Sequence, residues 1–451
     1  MDINAARRAI VESWERPFPL MVRRELELPT GTGKVVTVTG VRRCGKTYLL
    51  LGLTRQLVER GVPRENVAYV NFDDPRLLPA TAQDFELLRA AWRELRSNPE
   101  PGRAYLLLDE VQQVDGWELG VRRLYDTGEF EVFVTGSSSR MLSGDIATSL
   151  RGRGLSYELL PFSPGEFLAA RGLELTPRFA YGRQRHAVSG LVHEYLGLGG
   201  FPEVVLAATG ELRLRILREY AETMFMRDLV ERNGIRNPAA MRELFRFLLA
   251  NVANAFSANA FWKWLRGTHP MTKRTLLSYV TCLEASGLVM LVRKFSSSLK
   301  EQNLRPRKAY LVDAGLRAAY GMEFNQDRGR VLENAVFLAL RRLQGRLPLM
   351  GVYYWQDGRG REVDFVVTRG RRVRALIQVS ADPQAFGARG REVEPLKSAL
   401  DEFGLSKGFV VTEDHEAEER HGHKTVRFVP FWRWAFEGAE QLGKELDRAR
   451  T

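Results

Sequence analysis

Residues 37–50 read TVTGVRRCGKTYLL, with four residues between Gly40 and Gly45 and Lys46-Thr47 directly after. The apolar β-branched run VVTVTG (35–40) leads into this stretch and predicts a buried parallel strand. The run KTYLLLGLTRQLVER (46–60) leads out of it, carries helical spacing and stops at Gly61. A glycine-rich turn between strand and helix is the setting that a phosphate-binding loop requires. Its glycines let backbone N–H groups curl around a phosphate, and the helix N-terminus adds partial positive charge. Gly40, Cys44, Gly45, Lys46, Thr47 and Tyr48 are therefore the candidate contacts to a nucleotide. Lys46 would reach the β- and γ-phosphates of ATP, and Thr47 would hold its Mg²⁺.

Such a loop needs acidic partners, one for Mg²⁺ and one for the attacking water. Tyr105-Leu106-Leu107-Leu108-Asp109-Glu110 supplies both at the C-terminal end of an apolar strand, where ligands of open α/β sheets sit. Asp109 is expected to bind Mg²⁺ through water and Glu110 to polarise the nucleophile. The next strand ends Thr135-Gly136-Ser137, and Ser137 is the candidate group for the γ-phosphate, the alternative being a small-residue turn. In Leu150-Arg151-Gly152-Arg153, either arginine could stabilise transition-state charge on a neighbouring subunit's ATP, or the segment is a solvated basic loop.

Further strands are expected at 67–72 and 156–162 and helices at 84–97 and 117–127. Strands alternating with helices predict an α/β fold with a parallel sheet covered on both faces, over residues 1–170. Residues 171–250 read as an arginine-rich linker followed by helices, 251–322 as a smaller mixed unit, and 323–451 as a second α/β unit.

The set GVRRCGKT, LLLDE, VTGSSS, LRGR and LPFSPGEF resembles the large archaeal and bacterial family of AAA+ type ATPases whose C-terminal domain is of unknown function. YLGLGGFPEVV, RDLVERNGIRN, RKAYLVDAGL and GREVDFVV are similar to that family too, so the likeness spans nearly the whole chain. It implies an AAA+ core, a helical segment, a winged-helix-like unit and a nuclease-like C-terminal fold.

The residues of 255–295 suit a winged helix, with 272–286 as the recognition-like helix and 288–295 as the first wing strand. Lys273 and Arg274 lie where helix-turn-helix proteins meet the DNA groove, and Arg293, Lys294 and Lys300 are candidates for phosphate contact. Winged helices also serve as protein-protein modules, and Trp262 and Trp264 are expected in the core.

In the last unit the αβββαβ order resembles the PD-(D/E)XK nuclease fold. By that likeness Glu333, Asp364 and Gln378 are candidate metal ligands, while Ser380 stands where an active member has lysine. Serine brings no charge to help form a hydroxide, so the expectation is a degenerate site. An ion-pair network is the alternative reading of the two acids.

Net charge is +12, which favours a polyanionic partner, nucleic acid first, although an arginine-rich coding bias gives the same excess. Two cysteines and six histidines argue against a disulfide framework or structural zinc. No apolar run approaches the roughly 20 residues that span a bilayer, and the N-terminus reads as an amphipathic helix, so the expected location is cytoplasmic. The leading expectation is an ATP- and Mg²⁺-dependent homo-oligomer, a hexamer or smaller, that acts on branched or broken DNA. A nucleotide-controlled switch for a protein partner and an ATP-regulated nuclease are the alternatives.

Overall fold

The computed structural model describes residues 1–96, 104–137, 152–176, 178–322, 327–384 and 388–448. The chain forms two compact units, Met1–Leu160 and Pro161–Thr451, where the sequence reading expects four segments and a first boundary at 170.

In the first unit five parallel strands, β1 (Val35–Gly40), β2 (Val67–Asn71), β3 (Ala104–Asp109), β4 (Phe130–Ser137) and β5 (Gly154–Glu158), lie in the order β2-β3-β4-β1-β5. Helix α2 (Lys46–Glu59) covers one face. Helices α1 (Ile3–Glu15), α3 (Asp84–Leu95) and α4 (Trp117–Asp126) cover the other. Alternation along the strands feeds two cores. Ala68, Val70, Leu106, Leu108, Val132 and Val134 pack toward α1, α3 and α4, whereas Tyr69, Leu107 and Phe133 pack toward α2. The expected strand at 156–162 is displaced to 154–158. Leu159 still donates its N–H to the Thr39 carbonyl, but Pro161 has no N–H to continue the ladder.

The second unit begins with helices Pro164–Ala170, Gln184–Leu198, Pro202–Leu206, Gly210–Thr223 and Pro238–Ala250. A three-stranded antiparallel sheet follows, order β6-β8-β7, from β6 (Ala255–Phe256), β7 (Val289–Val292) and β8 (Arg307–Leu311). Helices Ala258–Leu265 and Lys273–Ala285 lie between β6 and β7 in the chain.

Helix Arg328–Arg346 then precedes a six-stranded mixed sheet, order β13-β14-β12-β11-β10-β9. Its strands are β9 (Met350–Gln356), β10 (Glu362–Arg369), β11 (Arg372–Ser380), β12 (Lys407–Thr412), β13 (Ala417–His421) and β14 (Lys424–Pro430). Helix Ala388–Phe403 packs Val393, Leu396 and Leu400 on its apolar face. The hairpin β13–β14 lies beyond the last strand expected from the sequence, because AEERH offers an alternating but charged strand that reads as loop.

Candidate functional site

The phosphate loop is shaped by close packing at its base. A Cβ on Gly40 would stand 2.3 Å from the Leu159 carbonyl oxygen and 2.9 Å from Cys44 Sγ. Gly45 precedes α2 with φ 101° and ψ 26°, a left-handed conformation natural to glycine. Arg24 braces the turn from outside, donating to the carbonyls of Cys44 at 2.8 Å and Leu160 at 2.6 Å. Cys44 is fully buried, and burial pushes its thiol pKa up, so it fills space and does not act as a nucleophile. Lys46 is 4% exposed, and its ammonium donates to the carbonyls of Gly40 and Val41, both at 3.2 Å.

Strand parity brings the acids to this loop. Tyr69, Asp109 and Thr135 occupy the parity that faces α2, whose first turn carries Thr47. The buried Asp109 carboxylate accepts hydrogen bonds from Thr47 Oγ1 at 2.6 Å, Tyr69 Oη at 2.8 Å and Thr135 Oγ1. Burial and the neighbouring Asp109 charge hold the Tyr69 hydroxyl protonated. Glu110 Oε1 lies 3.8 Å from Lys46 Nζ, and its other oxygen accepts from Gln112 Nε2. The Glu110 backbone is left-handed, φ 55° and ψ 43°, an uncommon state for a residue with a side chain, and its N–H is held at 3.1 Å by Thr135 Oγ1. Thr47 and Asp109 thus present adjacent hard oxygen donors, the set that suits Mg²⁺.

Tyr48, 52% exposed, lines a cavity of about 390 Å³ with Met21, Arg24, Leu28, Gly52 and Gln56, next to the loop. Ser137 ends β4, in register with Gly40 of the loop; only its backbone position is described. Arg151 lies outside the described residues. Arg153 forms an ion pair with Asp126 at 3.3 Å, and its carbonyl accepts from Val35 N–H. Val35 and Gly40 are opposite ends of β1, about 16 Å apart at strand rise, so Arg153 is remote from the phosphate loop of its own chain. Sequence reading missed Tyr69, Thr135 and Arg24. An aromatic hydroxyl near the end of an otherwise apolar strand, and a threonine two residues before the candidate serine, were the available signals.

The second unit gathers the other candidates differently. Lys273 and Arg274 at the start of helix Lys273–Ala285, Arg293 just after β7, and Lys300 are exposed, but Lys294 is 8% exposed, which removes it as a phosphate contact. Trp262 donates its indole N–H to the Met271 carbonyl, while Trp264 is 58% exposed and not in the core as expected.

Glu333 and Asp364 do converge, but on an ammonium. Lys308 of β8, 3% exposed, places Nζ 2.8 Å from Glu333 Oε1, 2.8 Å from Asp364 Oδ1 and 2.7 Å from Glu362 Oε1. Tyr310 Oη also donates to Glu333 Oε1, at 2.6 Å. Burial alone would lower the Lys308 pKa, but Asp364, Glu333 and Glu362 outweigh it and hold the ammonium charged. Burial and the Asp364 charge push Glu333 up to about 8, which relieves the excess of carboxylate charge around one cation. Gln378 is engaged elsewhere, accepting from the Asp364 N–H at 3.2 Å and donating to Glu392 at 2.5 Å. The metal expected between Glu333, Asp364 and Gln378 does not fit these residues as they stand, because a lysine fills the position. Sequence reading missed Lys308, which comes from a different sheet.

A family profile described as an AAA domain matches residues 32–168. Two profiles for domains of unknown function, DUF8612 and DUF4143, match 189–327 and 328–434. The Walker-type ATPase of Pyrococcus abyssi is a structural relative at TM-score 0.39 and 15% identity, over 70% of this chain and 95% of that one. An uncharacterized protein of Haemophilus influenzae is 30% identical over 313 residues, 69% of this chain and 75% of the relative. An uncharacterized protein of Methanocaldococcus jannaschii is 31% identical over 423 residues, 92% of this chain and 91% of the relative. With an AAA domain followed by two domains of unknown function, the chain belongs to the family of these two proteins.

Proposed function

We propose that the protein binds ATP with Mg²⁺ and hydrolyses it, and that this cycle acts on DNA. The observation that carries hydrolysis is the meeting of Thr47 and Asp109 at 2.6 Å beside Lys46 and Glu110, at the mouth of the phosphate loop. Thr47 and Asp109 would hold the metal, and Mg²⁺ neutralises charge on the phosphate oxygens when bound. Lys46 exchanges its two carbonyl partners for the β- and γ-phosphates. Glu110, fixed in a strained backbone by Thr135, orients water in line with the γ-phosphate. Tyr48 and the 21–28 segment form the wall for ribose and base, and Ser137, beside Gly40, is the candidate γ-phosphate contact.

Because Arg153 is remote from its own chain's loop, a role for it requires assembly into an oligomer. Arg153→Ala should then bind ATP normally and hydrolyse it slowly, and mixing it with Lys46→Ala should restore part of the turnover. A strict monomer with concentration-independent turnover rules this role out.

The DNA reading rests on the +12 charge and on chain order. Helix Pro238–Ala250, β6, two helices, β7 and β8 follow one another as in a winged helix, and Lys273 and Arg274 project at the start of helix Lys273–Ala285. The test is ATPase rate and DNA binding with single-stranded, duplex and four-way-junction DNA across salt concentrations. Affinity should fall by about 0.9 log units per tenfold salt for each phosphate neutralised. Losing Lys273 and Arg274 together should lower that slope by about two if both meet phosphates. Unchanged affinity in that double variant, with an ATPase rate indifferent to every DNA, would favour the nucleotide-switch reading.

A further inference from the structure

Residues 244–283 contain no Asp or Glu, in a chain that has 55 of them among 451 residues. Glu243 and Glu284 bound the stretch. Within it Arg246, Lys263, Arg266, Lys273 and Arg274 are all exposed. An arginine-rich coding bias adds cations but does not remove acids, so it does not account for this surface. Unopposed positive charge is the electrostatic footprint of a polyanion.

The same stretch exposes aromatic surface. Phe247, Phe256, Phe261 and Trp264 form one cluster, of which Phe256 and Phe261 are buried. Phe247 is 36% exposed and Trp264 58%. Their ring centroids lie 4.7 Å and 5.3 Å from that of Phe261, and 6.5 Å from each other with 35° between the planes. The two outer rings are thus backed by an inner one, which holds them in place and leaves their remaining surface open. Trp262 is two residues away, so about 200° around the helix. It has its own structural work, donating its indole N–H to the Met271 carbonyl with the Arg266 guanidinium 4.9 Å over its ring. Trp264 has no such task. Large rings left at the surface in a group mark a contact site.

We propose that Trp264, with Phe247 beside it, is a stacking platform for unpaired bases of single-stranded DNA. Each exposed ring has a cation as its chain neighbour, Arg246 before Phe247 and Lys263 before Trp264, and these take the flanking phosphates. Rings and cations together are what a single strand requires, since its bases present open faces and its backbone presents charge. A duplex covers both faces of every base by stacking, and an apolar protein partner would use the rings but leave the missing acids unexplained. The platform rests on the reading that the protein acts on DNA and narrows the substrate to DNA with an unpaired segment. It makes no use of the groove contacts of Lys273 and Arg274.

The experiment titrates the full-length protein into three labelled probes of equal length: oligo-dT, an abasic strand with the same phosphates, and a duplex. The parent should bind oligo-dT roughly 5- to 150-fold more tightly than the abasic strand, the effect of one stacked base. Trp264→Leu, which keeps apolar contact with Phe247 and Phe261, should lose that preference while its salt dependence stays at the parent's, since no phosphate contact is removed. Trp264→Phe should retain most of it, and duplex affinity should stay at the parent's in both. Lys263→Ala should instead lower the salt slope by about 0.7 with the preference intact. In the parent, bromodeoxyuridine in place of thymidine should crosslink to Trp264 or Phe247 on irradiation, a readout that needs no variant to fold. Equal affinity of the parent for oligo-dT and the abasic strand, a folded Trp264→Leu that keeps the preference, or crosslinks confined to other residues would overturn the platform and leave the DNA reading standing. A parent that binds none of the probes ends both. Trp264→Leu that loses self-association in sedimentation yet keeps the preference would make the patch a contact between copies, and the platform falls there too.

Discussion

Replacing Lys46 with alanine should cut ATP turnover by at least about 10²–10³-fold, the scale for losing one preorganised charge-stabilising donor. The effect is local because the group is sequestered. Lys46 is 4% exposed at the base of a loop whose carbonyls it already engages, so the variant leaves two weak hydrogen bonds unmade and the α2 core of Leu50, Leu53 and Leu57 untouched. Fluorescent-nucleotide binding and phosphate release should both fall while the melting temperature stays near the parent's. Glu110→Gln should separate the two steps. It keeps size and the Thr135-held backbone but lacks the charge that orients water, so ATP binds and is not turned over. Parent-like turnover in Glu110→Gln would remove Glu110 from the water-positioning role.

What could be read from the sequence follows how local each interaction is. The phosphate loop and the acidic strand are legible because a strand, a glycine turn and a helix within 35–60 carry their own periodicity, and LLLDE places its acids at a strand end by itself. The hydroxyls of Tyr69 and Thr135 were not legible as Asp109 ligands. They sit 40 and 26 residues away and meet Asp109 only because the sheet order puts β3 between β2 and β4. Lys308 was invisible for the same reason in stronger form: it lies 56 residues before Asp364, in a strand of a different sheet. A serine at 380 could be seen as a missing cation. That a cation had entered from β8 could not. Trp264 shows the converse, an aromatic that composition sends to the core and tertiary packing leaves exposed.

The motifs LGLGGFP and LVDAG, which no chemistry of the ATP site uses, predict a large stability effect. They meet at Asp313, a fully buried carboxylate that accepts from the N–H of Gly200 at 2.6 Å and of Gly315 at 2.7 Å. Gly199 holds φ 76° and ψ −166°, a region open essentially to glycine alone, and a Cβ there would stand 1.7 Å from Asp313 Oδ1. Gly199→Ala should therefore cost roughly 2–5 kcal/mol, from about 1–3 for the backbone strain and a similar amount for hydrogen bonds lost as the carboxylate is displaced. Gly197→Ala, two residues earlier in helix Gln184–Leu198 with open space around it, should be neutral or stabilising by up to about 1 kcal/mol. Urea unfolding of the pair reads the contrast, and a Gly199→Ala midpoint equal to that of Gly197→Ala would mean the junction yields without cost.

Asp313 adds a pH signature. Burial pushes its pKa from 3.8 up to about 7, against the pull of the Gly200 and Gly315 amides and the Arg342 charge. A folded-state value above the unfolded one means that protonation favours the folded chain: the contribution is complete below 3.8 and is lost as pH rises to about 7. Parent stability minus that of Asp313→Asn should thus fall across that window and flatten above it, and a difference that is constant from pH 4 to 8 would place the Asp313 pKa at its ordinary value.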